Sequence, residues 1–358
     1  MKSLNHIIRY SIFVFLSSLV MAGCDVHELP ELDMKNVPFR LRLKYDTDMV
    51  IWNHVYDDNN VSEAGFGETY SNVQTKGQMR YIIRAYPISE KQRTSQNYIK
   101  EFVFTRNVAD GYDCDYTIGL PAGDYSIMVW SDLVSNGDDT PFYNAGNFEG
   151  ILLQEKHIGN TDYRDAYRGR NTISLSPDIY EHIKNTLKIE MKRPLAKYEF
   201  ITTDLEEFIE KEIARIALAR GEKTDQSDNS SSRVIDVSDY SVVFYYTGFM
   251  HNEFDMYEDR PSDVNTNVSF ESKITKISDN EASLGFDYIF VNGSKTSVMV
   301  QIAIFNKEGE RLSLTEEIGV PLYRNHHTKL RGSFLMQNAQ GGVHINPEFE
   351  GDILHKIN

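Results

Sequence analysis

The chain has 358 residues, with 37 Lys+Arg against 53 Asp+Glu and a formal net charge of −16. So acidic a chain is a poor nucleic-acid ligand, because basic residues on phosphate supply most of that affinity, and an anionic membrane surface repels it as well. Its 41% hydrophobic and 12% aromatic content excludes a disordered chain, and its two cysteines are too few for a disulfide framework.

Residues 1–23 carry Lys2 and Arg9, then the apolar run SIFVFLSSLVMAG, shorter than the roughly 20 residues that span a bilayer. The run ends in Met21-Ala22-Gly23-Cys24, small residues directly before a cysteine. That pattern predicts a lipoprotein signal peptide over 1–23 and a mature chain acylated at Cys24, since two or more acyl chains give stable anchoring. The plainer alternative is a secretory peptide cut after Ala22 or Gly23. Residues 24–36 are acidic, contain Pro30 and lack periodicity, so they read as a flexible tether.

Strands are expected nearly everywhere beyond the tether. In VPFRLRLKYD, Phe39, Leu41, Leu43 and Tyr45 alternate with Arg40, Arg42 and Lys44, the period of a half-buried strand. MRYIIRAYP, YIKEFVFTR and DYTIGLPAGDYSIMVWSDLV come next, the last broken by a turn at Pro121, Gly123 and Asp124. Order loosens from Asn136 to Ser176, which places a domain boundary near Asp178: one β-sandwich over 37–177 and a second over 178–358. The second opens with NTLKIEMKRPLAKYEFITT and runs into a helix. Thr203 and Glu206 form a capping box there, and Leu205, Phe208, Ile209, Ile213 and Ile216 recur at helical spacing. Gly221 and a polar run predict a loop, and strands resume around VVFYYTGFM, NVSFESKI, ASLGFDYIFV, SVMVQIAIF and TKLRGSFLM. Asn292-Gly293 predicts a type I′ hairpin between the two runs that flank it. The fold class is therefore mainly β, antiparallel sandwiches with one crossing helix.

Nothing points to catalysis, a metal or a cofactor. HExxH, GxSxG, CxxC and phosphate-cradling glycine loops are all missing from the sequence. His326 and His327 are neighbours, which a strand puts on opposite faces. Tyr56 to Asn60, YDDNN, offers oxygen ligands for calcium without a defining spacing, and reads as a loop. Trp130 is expected in a core, whereas Trp52 is left open between core, edge and contact. Cys114 stands between Asp113 and Asp115, which should keep its thiol protonated and inert.

The order of the Cys24 box, FRLRLKYDTD, MRYIIRAYP with FVFTR, LPAGDYSIMVWSD and KRPLAKYEFITTDLEEF resembles the FimB-type fimbrial anchor-subunit lipoproteins of Bacteroides-type bacteria over most of the mature chain. The resemblance implies two tandem transthyretin-like sandwiches, lipid (palmitate) on Cys24, and a surface-exposed place in the cell outer membrane at the base of a fimbrium, or pilus. It implies a non-catalytic adhesion role, with a fimbrillin stalk protein as partner and fimbrial length as a quantity the subunit could limit. Joining by strand addition would leave FRLRLKYD in place and give the contact to the C-terminal tail, at Val343, Ile345, Phe349, Ile353 and Leu354. The tail has a blander alternative as the last strand of the second sandwich. The competing function is a glycan-binding surface lipoprotein. An open sheet edge favours assembly, and coplanar exposed aromatics favour sugar.

Overall fold

The computed structural model describes residues 36–88, 97–134, 142–176, 186–220 and 235–337. The signal peptide, Cys24, the tether, the Gly221 loop and the tail residues Val343, Ile345, Phe349, Ile353 and Leu354 lie outside the described residues.

The predicted alternation of the first strand is realised. In β1 (Val37–Tyr45) Phe39, Leu41 and Leu43 are buried and Arg40 and Lys44 exposed. It is the middle strand of three, with β11 (Thr186–Met191) parallel on one side and β6 (Cys114–Leu120) antiparallel on the other. The turn at Pro121 carries the chain from β6 into β7 (Gly123–Val134), which belongs to a second sheet ordered β10 (Ala166–Leu175), β7, β4 (Gln78–Pro87), β5 (Lys100–Asn107). Leu41, Leu43, Tyr81, Ile83, Ile127, Val129, Ile189 and Met191 form the core between these two sheets.

A second sheet pair has its own core. Its larger sheet is six-stranded, ordered β17 (Thr275–Lys276), β18 (Ala282–Phe290), β12 (Leu195–Thr202), β22 (His326–Gly332), β2 (Asp48–Asp57), β3 (Asn60–Ser71). The other is ordered β16 (Ser269–Lys273), β13 (Ser241–Tyr246), β19 (Lys295–Phe305), β20 (Arg311–Leu314), with β21 (Ile318–Tyr323) also on β19. Phe200, Phe244, Leu284, Ile302 and Leu330 fill the space between. A small sheet ordered β15 (Arg260–Asn265), β14 (Met250–Asp255), β9 (Ile151–Leu153), β8 (Tyr143–Asn144) completes the molecule. Trp130 is fully buried, in a third core where Ile82 and Met128 meet Phe148, Phe254, Leu195 and Phe290, so apolar packing joins the two sheet pairs.

Three expectations need correction. The chain does not divide at Asp178: β11 pairs with β1, the β2–β3 hairpin joins β22, and β9 pairs with β14, so three sheets draw strands from both sides of that position. Alternation reports which face of a strand is buried, not which sheet the strand joins. The Asn292-Gly293 hairpin is absent, because β18 and β19 lie in different sheets and only Gly293, at φ +64°, takes the left-handed conformation. The two-residue turn with both φ positive is Asp58 (+46°) and Asn59 (+62°), inside the YDDNN loop, joining β2 to β3. The helix, α1 (Leu205–Ala219), buries Leu205 and Phe208 as expected, but its N-cap is Asp204 rather than Thr203, with no side-chain cap bond. The Asp204 carboxylate is taken by the Thr202 hydroxyl and by the backbone N–H groups of Leu335 (3.2 Å) and Met336 (3.0 Å).

Candidate assembly surface

Strand edges are where a β protein can add another chain, and half of the ten sheet-end strands described here are short, carry a proline or end in a lysine. β15 carries Pro261, β16 ends in Lys273, and β8, β17 and β20 are no longer than four residues. β3 differs. It is twelve residues long, nine of them exposed, and β2 is its one described neighbour in the sheet. Two bulges opposite β2, between Val50/Trp52 and Asn53/His54, account for its two extra residues and bend it; Gly65, at φ +99°, supplies a conformation that a side chain resists.

At the bend Phe66 lies 60% exposed, stacked on Trp52 at 5.9 Å between ring centroids and 11° between planes. Trp52 itself is 3% exposed, beneath Phe66, the Tyr323 ring and the Lys295 ammonium at 5.2 Å, which settles it as core. Lower on β3 the Tyr70 hydroxyl meets His327 Nδ1 at 2.8 Å, and His327 Nε2 lies 3.3 Å from Glu199. Burial brings His327 down to about 4. Burial opposes ionisation of Glu199, yet the hydrogen bond and charge of His327, with Ser283 and Lys329, bring it to about 2.

Exposed aromatics do not form a platform. Among the described residues Phe66, Phe249 and Tyr245 are the exposed rings, and none stacks on another. The coplanar series Phe102, Phe104 and Tyr116, at 6.4 and 4.5 Å, is half-buried against the first core. Among the described residues no group of three His, Cys, Asp or Glu is placed to hold a metal. Burial raises the Cys114 thiol above its ordinary value.

A polar hub between the sheet pairs is absent from the sequence reading. Arg193, fully buried between β11 and β12, donates from Nε to Asp165 at 2.9 Å. It also donates to the carbonyls of Asp46, Thr47, Asp48 and Asn72 at 3.0–3.3 Å, to Asn325 at 2.9 Å and to the Tyr167 hydroxyl. Beside it Arg164 donates to Asp287 at 2.5 Å, and Asp287 also accepts from Tyr246 (2.6 Å) and faces His157 (2.7 Å). Strand ends from both sheet pairs converge on these charges. The signal was the KRP triplet between two apolar runs, but sequence alone gives a charge there no reason to be buried.

A family model matches residues 35–358, about nine-tenths of the chain. The chain belongs to the family of unknown function DUF6562. No curated protein matches this DUF6562 member. Among solved structures it is similar to a candidate adhesin from Bacteroides ovatus, at 10% identity and a TM-score of 0.41 over 88% of this chain and 91% of that one. It is similar to the fimbrial anchor protein Mfa2 from Porphyromonas gingivalis, at 11% identity and 0.35 over 78% and 82%. A candidate polysaccharide-binding protein from Bacteroides thetaiotaomicron gives 11% and 0.38 over 77% and 79%. The family matched is thus DUF6562 and not an anchor-subunit family, and the expected resemblance is met at the coarser level of adhesin-like and fimbrial structures. At these scores the likeness is no argument for what the DUF6562 chain does.

Proposed function

We propose that this protein is a non-catalytic, lipid-anchored fimbrial subunit built of two transthyretin-like sandwiches, which joins a polymeric stalk protein to the outer membrane. Cys24 carries the lipid, and the tail residues Val343, Ile345, Phe349, Ile353 and Leu354 supply the contact to the stalk. The observation that supports this most is the placement of β1. A subunit that accepts a donor strand must vacate a groove, whereas an anchor at the base keeps its own first strand. β1 is held by β11 from Arg40 to Tyr45 and by β6 from Val37 to Leu43, with four of its side chains in the core. The glycan-binding alternative has less support, since the coplanar rings face a core.

Two results test the proposal. Arg40 and Arg42 should resist a trypsin-like protease for as long as the chain stays folded, because cleavage needs an extended segment and both lie mid-ladder, paired with Asp115. Mass spectrometry of a limited digest reads this, and cleavage after either residue before the thermal transition is lost counts against a retained first strand. The larger test is Cys24→Ala. The variant should leave the membrane fraction with its unfolding midpoint unchanged, because no described helix is long and apolar enough to cross a membrane and the lipid alone would hold the chain. Fimbriae made beside it should appear in the medium; an Ala variant that still sediments with outer membranes ends the lipid-anchor reading.

A further inference from the structure

The edge of β3 has an occupant within reach. β3 carries neither Lys nor Pro, and its guards are two bulges with Glu63 and Glu68. A bent edge discourages chance pairing, so a strand that pairs with it must be delivered in register. Phe66, exposed beside buried Trp52, marks an apolar face that stops short at this edge.

The described chain ends close by. Phe334 and Leu335 are buried, Asp204 holds the N–H groups of Leu335 and Met336, and the Gln337 side chain takes the Tyr56 hydroxyl at 3.3 Å. Gln337 therefore sits with Asp57, Asp58 and Asn59 around one shallow depression, at the end of the sheet where β3 begins. From there the outer side of β3 is two strand spacings beyond β2, roughly 10 Å. The next five residues, NAQGG over 338–342, reach up to about 17 Å when extended. Residues 343–353 then alternate without a break. Val343, Ile345, Pro347, Phe349, Gly351 and Ile353 occupy the odd positions, and His344, Asn346, Glu348, Glu350 and Asp352 the even ones. Residues 343–353 and residues 61–71 of β3 are equal in length, eleven each. A proline suits a strand whose second edge faces solvent.

We infer that residues 343–353 of the chain's own tail add to β3 as a seventh, outermost strand, running parallel to it, with Ile345 and Phe349 falling to either side of Phe66. A tether of five residues presents the strand at a local concentration of order millimolar, which a free chain does not reach. The inference takes the tail from the function proposed above but needs no fimbrial partner. In the anchor reading, the stalk would have to take up a strand already in use, so the capped edge is also what keeps the free subunit from pairing at random.

Hydrogen exchange by mass spectrometry, on the Cys24→Ala chain and on the same chain ended at Gly341, tests it. Peptides within 61–71 should exchange about tenfold faster in the shortened chain, with peptides of β2 and β22 unchanged. Equal exchange at β3 overturns the inference. Should the shortened chain fail to fold, Ile345→Asp with Phe349→Asp in the full-length chain replaces it, with the same expectation. Protection must also survive dilution in a monomer. Protection that fades on dilution, or is confined to a dimer, gives the edge to a second copy and overturns the inference. A monomer with a protected edge that never co-purifies with fimbriae leaves the inference standing and ends the proposed function.

Discussion

Replacing Arg193 with alanine should cost about 3–5 kcal/mol, a third or more of the stability of an ordinary domain. The side chain is fully buried and its partner Asp165 is 1% exposed, so the substitution strands a carboxylate away from water. It also strips a donor from the carbonyls of Asp46, Thr47, Asp48 and Asn72, at the ends of strands that no other described side chain gathers together. Each buried acceptor left unmet adds to the loss. Urea unfolding at neutral pH measures this, and a double substitution with Asp165→Asn should cost less than the two singles summed, since the orphaned charge is then gone. Arg193→Lys keeps the charge without the planar fork and should fall between. A loss under about 1 kcal/mol for the alanine variant would mean that water replaces the guanidinium and that the hub is decoration.

Acid should weaken the protein well above the carboxylate range. His327 is 4% exposed and burial holds it near 4, against 6.5 for the free side chain. Between those values the unfolded chain binds a proton that the folded chain refuses, so stability is complete above about pH 6.5 and is lost as pH falls toward 4. The full difference is roughly 3 kcal/mol for this one residue. Lys197 and Lys329 oppose the charge on His327 and Glu199 favours it, while His54, His157 and His251 are shifted the same way by burial and add to the trend. Stability from urea unfolding at pH 7 and at pH 4.5 should differ by more in the native chain than in His327→Gln. Parallel curves would show that His327 titrates unhindered in the folded state.

Much of the architecture was legible, and the reasons for the rest are specific. The alternation of Phe39, Leu41 and Leu43 named β1 and its buried face without ambiguity, and the spacing of Leu205 and Phe208 did the same for the helix. β3 was invisible, because a strand with nine exposed residues out of twelve has no apolar period to betray it. With β3 hidden, the Asp58-Asn59 turn read as a loop and Trp52 had no Phe66 to lean on. The domain boundary failed for a related reason: the parallel partners of β1 and β2 are β11 and β22, and parallel neighbours are remote in sequence by necessity. Asp204 was overlooked as a cap because its bonds reach forward to Leu335 and Met336, beyond any local window.

The parallel ladder of β2 on β22 pairs Val50 with His326 and Tyr56 with Gly332, partners 276 positions apart. Its consequence is one of timing. Such a contact forms only after a long loop has closed, which slows the search for the native state, and a ribosome delivers β2 early and β22 almost last. Until the two strands meet, Trp52, His54 and Tyr56, all buried in the finished sheet, have no neighbour on that side, and the incompletely folded chain is open to pairing with other copies.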